Sequence, residues 1–154
     1  MDRFKAYRIF SENNAVSGRV VEVGLEELSG GTVVFKTGYS SVNYKDALAA
    51  TGSGKIIRKF PLNAGIDAVG TVVSSDDPRY KTGAEVICTS YDFGVAHDGG
   101  FSAYCRVPLS SFAPFPSLHI PAMVRLCLRS TMRTTENIES CASGPAIFRS
   151  RVSA

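Results

Sequence analysis

Two stretches of the chain decide its fold: SSVNYKDAL at residues 40–48 and GIDAVG at residues 65–70. The first begins where an extended apolar run, residues 32–39, comes to an end. It then places four polar side chains of different chemistry in a row: Asn43, Tyr44, Lys45 and Asp46. Rigid scaffolds commonly position binding groups at the ends of strands. Residues 43–46 are therefore the first candidate for a functional site.

The composition of the 154 residues is that of a globular protein. Apolar residues make up 44% of the chain and charged residues 20%, which is typical of globular proteins. The length allows one domain with a hydrophobic core. No window approaches the roughly 18–20 apolar residues of a membrane span, and residues 1–5 lack the apolar start of a signal peptide. The four cysteines are widely spaced, with no CxxC pair, which favours reduced thiols over a disulfide framework or a zinc knuckle. We expect a cytoplasmic protein that does not enter a membrane.

The net charge of +3 comes entirely from the end of the chain. Residues 1–112 contain 12 basic and 12 acidic side chains, whereas residues 113–154 contain five arginines and two glutamates. The main domain is neutral, and the few arginines that follow it are dispersed. This is too little clustered positive charge to bind a phosphate backbone well. Nucleic acid is therefore not an expected partner.

Residues 1–112 are predicted to be mostly strand. Six short runs rich in Val, Ile, Phe and Tyr are separated by glycines and turn residues: 4–10, 16–23, 32–39, 68–73, 83–89 and 100–107. Closely spaced strands with Gly-rich turns are typical of a small β-barrel. Between them, residues 47–50 are predicted to form a short helical turn, with Asp46 as its N-cap and residues 51–54 as its stop.

The character of the chain changes after Phe112. Residues 113–116, APFP, are predicted to be a linker, and residues 120–132 a short helix with a proline near its start. Residues 134–154, rich in Ser and Arg, are predicted to be poorly ordered. We therefore divide the chain into a domain at residues 1–112 and an atypical tail at residues 113–154.

Residues 1–112 resemble the N-terminal, GroES-like catalytic domain of the medium-chain dehydrogenase/reductase superfamily. Within it they are most similar to the zinc-free quinone oxidoreductase branch that includes the acryloyl-CoA reductases. Six segments in order carry the resemblance: residues 39–49, 51–61, 65–72, 75–80, 83–86 and 98–104. The ordered series is specific, whereas any one segment alone is weak. The resemblance implies a mainly β, partly open barrel with short helices.

The resemblance also implies an NADPH-dependent oxidoreductase. Its acceptor would be an activated C=C bond conjugated to a carbonyl or thioester, in an acryloyl-CoA-like or quinone-like small molecule. Zinc-dependent relatives usually have Cys at the position of Asn43 and Gly-His-Glu at residues 65–67. Asn43 and Ile66 supply neither thiolate nor imidazole. We therefore expect no metal, and polarisation of the substrate by hydrogen bonds.

The resemblance assigns roles to six residues. The catalytic candidates are Asn43, Tyr44 and Asp46; Tyr44 and Ala47 would contact the cofactor; and Lys55 and Arg58 would attract a phosphorylated acyl carrier such as CoA. Each also has a structural alternative. The Asn43 amide either bonds its own turn or lies near the nicotinamide or substrate carbonyl, and Tyr44 is either a core aromatic or a cleft residue. Lys55 and Arg58 are otherwise ordinary surface charges, and Asp67 is expected to accept hydrogen bonds from nearby backbone N–H groups.

The sequence does not predict a nucleotide-binding domain. Such a Rossmann unit needs a Gly-rich turn at a helix N-terminus, and Gly144 is the one glycine after residue 112. A truncated or frameshifted reading frame would explain this, and we expect the chain to be inactive alone. The alternative function is a non-catalytic β-barrel module that binds a partner or forms a homodimer through apolar surface left uncovered.

Overall fold

A computed structural model describes residues 3–89, 92–111 and 132–133. These residues form eight strands and one α-helix: β1 (Phe4–Glu12), β2 (Ala15–Val23), β3 (Val33–Ser40), α1 (Tyr44–Thr51), β4 (Leu62–Asn63), β5 (Asp67–Ser75), β6 (Glu85–Thr89), β7 (Tyr104–Val107) and β8 (Met132–Arg133). The mainly β prediction is confirmed. The last strand of the domain is shorter than predicted, since β7 begins at Tyr104 and not at residue 100.

The strands form two antiparallel sheets that do not close into a full barrel. The first has the order β2-β1-β4, and the second has the order β6-β5-β3-β7, with β8 pairing with the end of β3 beyond β7. An isolated bridge from Ala6 to Ser102 connects the sheets, and the Tyr7 N–H donates to the Phe101 carbonyl at 2.8 Å. The partly open barrel expected from the sequence is therefore confirmed.

The core follows from the alternation of side chains along the strands. In β3, Val33, Phe35 and Thr37 are buried while Lys36 and Gly38 are exposed, as expected for a strand with one wet face. Val33 and Phe35 belong to a hydrophobic cluster formed by residues of the second sheet and Phe93. A second cluster packs Ala49 of α1 with residues of the first sheet and its neighbours: Tyr7, Ile9, Leu62 and Phe101. This packing fixes α1 against the barrel at the end of β3.

The helix starts earlier than the sequence predicted. It begins at Tyr44 and not at Ala47, and its N-cap is Asn43. Asp46 is the third helical residue, and its carboxylate accepts a hydrogen bond from the Asn43 N–H at 2.8 Å. The assignment of Asp46 as N-cap was therefore wrong, because a carboxylate at the third position can bond back to the cap residue. The predicted stop is confirmed, since Gly52 ends α1 in the left-handed region with φ +74°.

A buried carboxylate joins distant parts of the barrel. Asp98 is 6% exposed and accepts hydrogen bonds from the backbone N–H groups of Asn63 at 2.8 Å and Ser29 at 2.7 Å. The Arg8 Nε donates to the Asn63 side-chain oxygen at 2.7 Å, and the Arg8 guanidinium lies 3.8 Å from Asp98. Buried polar groups need such partners to offset their lost hydration.

The predictions for the tail fall largely outside the described residues. The short helix over residues 120–132 lies there except for Met132, which the structure places in β8. The disorder predicted for residues 134–154 lies there as well. Among the residues that the structure describes, no helix is long and apolar enough to cross a membrane.

Glycines allow two backbone segments to cross at close range beside the site. Gly65 has φ +98°, and its carbonyl accepts a hydrogen bond from the Gly100 N–H at 2.9 Å. A Cβ on Gly94 or Gly99 would collide with the Gly65 carbonyl, and one on Gly65 would lie 2.6 Å from the Phe101 nitrogen. The GIDAVG motif therefore begins with glycine because the segment that enters β7 lies directly against it.

We expect Gly65→Ala to lower the free energy of unfolding by about 3 kcal/mol or more, because it adds a backbone clash to an unfavourable φ. Gly83→Ala is the matched control, since Gly83 has φ +88° but nothing within 4 Å of an added Cβ. It is expected to cost about 1 kcal/mol. Chemical denaturation of both variants measures the difference, and equal losses would contradict the close crossing.

Candidate functional site

A cleft of about 420 Å³ opens between the start of α1, the start of β5 and the end of β6. Its lining includes two basic side chains, Lys45 and Arg58, and two acidic ones, Asp67 and Asp92. Ile66 and Phe93 contribute apolar surface between them. The cleft therefore combines apolar walls with a few charged groups, as small-molecule sites commonly do.

Asp67 ties the loop between β3 and α1 to the start of β5. One carboxylate oxygen accepts the Ser41 N–H at 2.7 Å. The other accepts the Ser41 hydroxyl in a short hydrogen bond and the Asn43 side-chain N–H at 3.0 Å. The expectation that Asp67 accepts hydrogen bonds from nearby backbone is confirmed.

Asp46 makes a second tie, from α1 to the segment before β5. Its carboxylate is 2% exposed and accepts the backbone N–H groups of Asn43 at 2.8 Å and Ile66 at 3.2 Å. Burial raises the pKa of Asp46 from 3.8 to about 6; the negative charge of Asp67 adds to this, and hydrogen bonds from Asn43 and Ile66 oppose it. Asp46 therefore links the start of α1 to the segment that precedes β5.

Tyr44 and Ala47 lie on the open side of the helix. Tyr44 is 68% exposed, so the alternative in which it is a core aromatic is wrong. Ala47 is half-buried, and the two are three residues apart, which makes them neighbours on one helical face. Together they present an aromatic ring beside a small side chain.

The three cations near the site are not equivalent. Arg58 lines the cleft, and its guanidinium lies 3.0 Å from Asp92 in an exposed ion pair. Lys55 is exposed in a short 3-10 helix, Ser53–Lys55, and is not among the residues that line the cleft. Lys45, one of the four polar residues of the first candidate segment, does line it. In the sequence, the one signal for Lys45 as a site residue is its position between Tyr44 and Asp46. Whether its side chain lines the cleft depends on how α1 packs against the barrel.

The structure thus brings Asn43 and Asp46 together with two residues outside the predicted set, Ser41 and Asp67. The described part of the chain contains no group of three His, Cys, Asp or Glu side chains placed to hold a metal ion. Cys88 and Cys105 are buried thiols that form no disulfide, and burial raises the pKa of both. The polar chemistry of the site therefore rests on an amide, hydroxyls, carboxylates and two cations.

The raised pKa of Asp46 gives stability a pH dependence. The folded state holds this proton up to a pH of about 6 and the unfolded state only up to 3.8, so Asp46 favours folding at low pH and that contribution is lost between these values. Relative to Asp46→Asn, we expect the wild-type unfolding free energy to fall by about 3 kcal/mol across this window. Denaturant titrations of both proteins at several pH values measure the difference. A difference that stays constant with pH would contradict the burial of this acid.

Comparison with known proteins agrees with this geometry. The sequence profile of the Alcohol dehydrogenase GroES-like domain matches residues 29–117. The Bacillus subtilis protein YhfP, named as a quinone oxidoreductase, is 47% identical over 113 residues, which are 73% of this chain and 34% of YhfP. The Ruegeria pomeroyi acrylyl-CoA reductase AcuI is 39% identical over 105 residues, which are 68% of this chain and 32% of AcuI.

Solved structures of relatives share the fold and contain nicotinamide cofactors. The crystal structure of Bacillus subtilis YhfP with NAD bound has a TM-score of 0.70 at 45% identity, covering 75% of this chain and 35% of YhfP. The Salmonella enterica YhdH oxidoreductase in complex with NADP has a TM-score of 0.69 at 39% identity, covering 73% of this chain and 35% of YhdH.

The chain spans about a third of the length of the relatives that it matches. The profile match and the partly open barrel agree with one another. The chain belongs to the alcohol dehydrogenase GroES-like domain family of the medium-chain dehydrogenase/reductase superfamily.

Proposed function

We propose that residues 1–112 form the catalytic domain of a zinc-independent, nicotinamide-dependent reductase that acts on an activated C=C bond. The observation that carries this proposal is the opening at residues 43–46. Tyr44 and Lys45 are exposed beside the 420 Å³ cleft, while Asp46 is buried and anchors them. A buried, hydrogen-bonded anchor beneath exposed polar side chains holds those side chains in position for a bound substrate, as catalysis requires.

The cofactor side of the site is Tyr44 with Ala47. The cofactor, NADPH or NADH, supplies hydride when bound, and two relatives are solved with NAD and with NADP. The exposed Tyr44 ring offers a flat apolar surface for a nicotinamide ring, and the small Ala47 side chain lets a ligand approach the helix backbone. The Tyr44 hydroxyl is placed to stabilise developing enolate charge or to return a proton to it.

The acceptor side of the site is the cationic rim. Lys45 and Arg58 line the same cleft together with the carboxylates Asp67 and Asp92, and the two cations supply its positive groups. Phosphate groups, such as those of a CoA thioester, are the chemical class that such a rim attracts. Because Asp92 already pairs with Arg58, a phosphate would have to share or displace that contact. Lys55 is exposed outside the cleft and remains a candidate for phosphates that extend beyond it.

The direct test grafts residues 1–111 of this chain in place of the matching residues of YhfP. We expect the graft to oxidise NADPH or NADH with acryloyl-CoA or a quinone, and the 154-residue chain alone to show no turnover. Tyr44→Phe in the graft should lower kcat about 100-fold or more, if the hydroxyl handles the proton. A folded graft that binds cofactor but reduces neither acceptor would contradict the proposal.

The cationic rim has its own test in the same graft. Lys45→Ala and Arg58→Ala should each raise the KM for acryloyl-CoA about tenfold and leave the KM for a quinone unchanged, because only the CoA ester carries phosphates. Lys55→Ala is the comparison variant, with a smaller expected effect because Lys55 lies outside the cleft. Equal effects on both acceptors would show that the rim does not select for phosphate.

A second candidate function is self-association as a homodimer without catalysis. It is favoured by three exposed large hydrophobic side chains: Val42 at 44%, Tyr44 at 68% and Phe60 at 37%. Such apolar surface marks either a ligand site or an interface. Size-exclusion chromatography with light scattering separates the two, since a monomer across a wide concentration range would count against the dimer.

A further inference from the structure

One of the two cations that line the cleft is already paired with a carboxylate. The Arg58 Nη1 lies 3.0 Å from the Asp92 Oδ1, and both side chains belong to the lining of the cleft. Both are also exposed to solvent. With Lys45 and Asp67, the lining carries two positive and two negative side chains. The charge of Arg58 is therefore offset inside the cleft itself.

The backbone holds the two partners of this ion pair in place. The carbonyl of Asp92 accepts the N–H groups of three residues that follow it, at 2.8–3.0 Å: Val95, Ala96 and His97. These hydrogen bonds close a tight loop. The Arg58 N–H donates to the Val95 carbonyl of the same loop at 2.9 Å. Two segments 34 residues apart in the chain therefore present the cation and the carboxylate to each other.

Asp92 adopts a backbone conformation that most side chains avoid. Its φ is +66°, in the left-handed region that favours glycine. Asparagine and aspartate enter this region more readily than other non-glycine residues. Residues held in sparsely populated conformations cluster at functional sites. Asparagine can also replace the carboxylate here and keep the same backbone, so the charge of Asp92 can be removed by itself.

The ion pair leaves donors of Arg58 available to a ligand. A guanidinium has five N–H donors, and within the described ranges its one side-chain hydrogen bond is from Nη1 to Asp92. A phosphate that binds the remaining donors brings its negative charge close to the Asp92 carboxylate. Like charges at this range repel, and solvent reduces the repulsion without removing it. Asp92 therefore opposes the binding of an anion that Arg58 attracts.

We propose that Asp92 is a specificity-determining residue that weakens the binding of phosphates at Arg58 and so discriminates against small free anions. A repulsive group of this kind lowers the affinity for the wrong ligand, whereas the right one gains from further contacts. The ligand class is a phosphate ester or diphosphate. That this phosphate belongs to a CoA-like acceptor rests on the proposed function, whereas the effect of Asp92 on anion binding does not.

The effect on anions is tested by titrating the full, 15N-labelled chain with inorganic pyrophosphate at low ionic strength. The backbone amides of Phe93 and Val95, which line the cleft, report binding by NMR. Asp92→Asn should lower the Kd about fivefold, and salt at about 1 M should remove the difference because the Debye length falls to roughly 3 Å. An unchanged or higher Kd in the folded variant, or no binding by either protein, would overturn the proposal.

Two further variants identify the route of the effect. Glu12→Gln is the matched control, since Glu12 forms an exposed ion pair with Arg19 at 2.8 Å and does not line the cleft. It changes the net charge equally and should leave the Kd unchanged. In an Arg58→Ala background, Asp92→Asn should change the Kd by about twofold or less, because the two residues act together. An equal gain from Glu12→Gln, or a full gain without Arg58, would overturn the role of this pair.

The specificity role is tested in the YhfP graft. Asp92→Asn should lower the KM for acryloyl-CoA about fivefold and leave the KM for a quinone and for the cofactor unchanged, because the phosphates that meet Arg58 are those of the acceptor. A lower KM for the cofactor instead would overturn this role. A graft without turnover would contradict the proposed function, while the pyrophosphate titration of the chain alone decides the effect of Asp92.

Discussion

The site depends on two carboxylates, Asp46 and Asp67, that hold three separate segments around Asn43. Asp67 accepts from the backbone and side chain of Ser41 and from the Asn43 amide. Asp46 accepts from the backbone of Asn43 and of Ile66. Two nearby negative charges repel one another, and burial penalises the charge of Asp46. The N–H and O–H donors that converge on them offset part of that cost.

The same constraint explains why the site is rigid at its base and open at its rim. The loop before α1 and the start of β5 are linked through buried or half-buried hydrogen bonds, so they are held as one unit. Tyr44, Lys45 and Arg58 make no such buried contacts and project into or beside the cleft. A rigid base with mobile, solvated side chains above it preorganises polar groups while leaving room for a ligand.

The resemblance seen in the sequence and the packing seen in the structure support each other at specific residues. Gly65 at the start of GIDAVG is needed because the segment that enters β7 crosses against it. Asp67 in the same motif is needed because it carries the Ser41 and Asn43 contacts. The glycine lets the segment before β7 approach the start of β5, and the acid links the start of β5 to the loop after β3.

Local sequence signals were sufficient for the class of the fold and for most of its strands, and they led to a proposed site at residues 43–46. Strand alternation and glycine-rich turns are local signals, readable within a few residues. The sequence favoured Asp46 as the N-cap of α1, but Asn43, another good capping residue three positions earlier, occupies that position. Asn43 also contacts Asp67, which lies 24 residues away in the chain and which no local pattern could pair with it.

Which side chains face the cleft depends on the assembled tertiary structure. In the folded protein, Lys45 lines the cleft and Lys55 does not. Tyr44 is exposed and Asp98 is buried. The Asn43 amide nitrogen donates to Asp67. The placement of Lys45 and Tyr44 depends on the packing of α1 on the first sheet, and the burial of Asp98 accompanies its hydrogen bonds from Ser29 and Asn63. Contacts between residues far apart in the chain form only when these elements pack together. Local hydrophobic and turn patterns in the sequence therefore do not predict them.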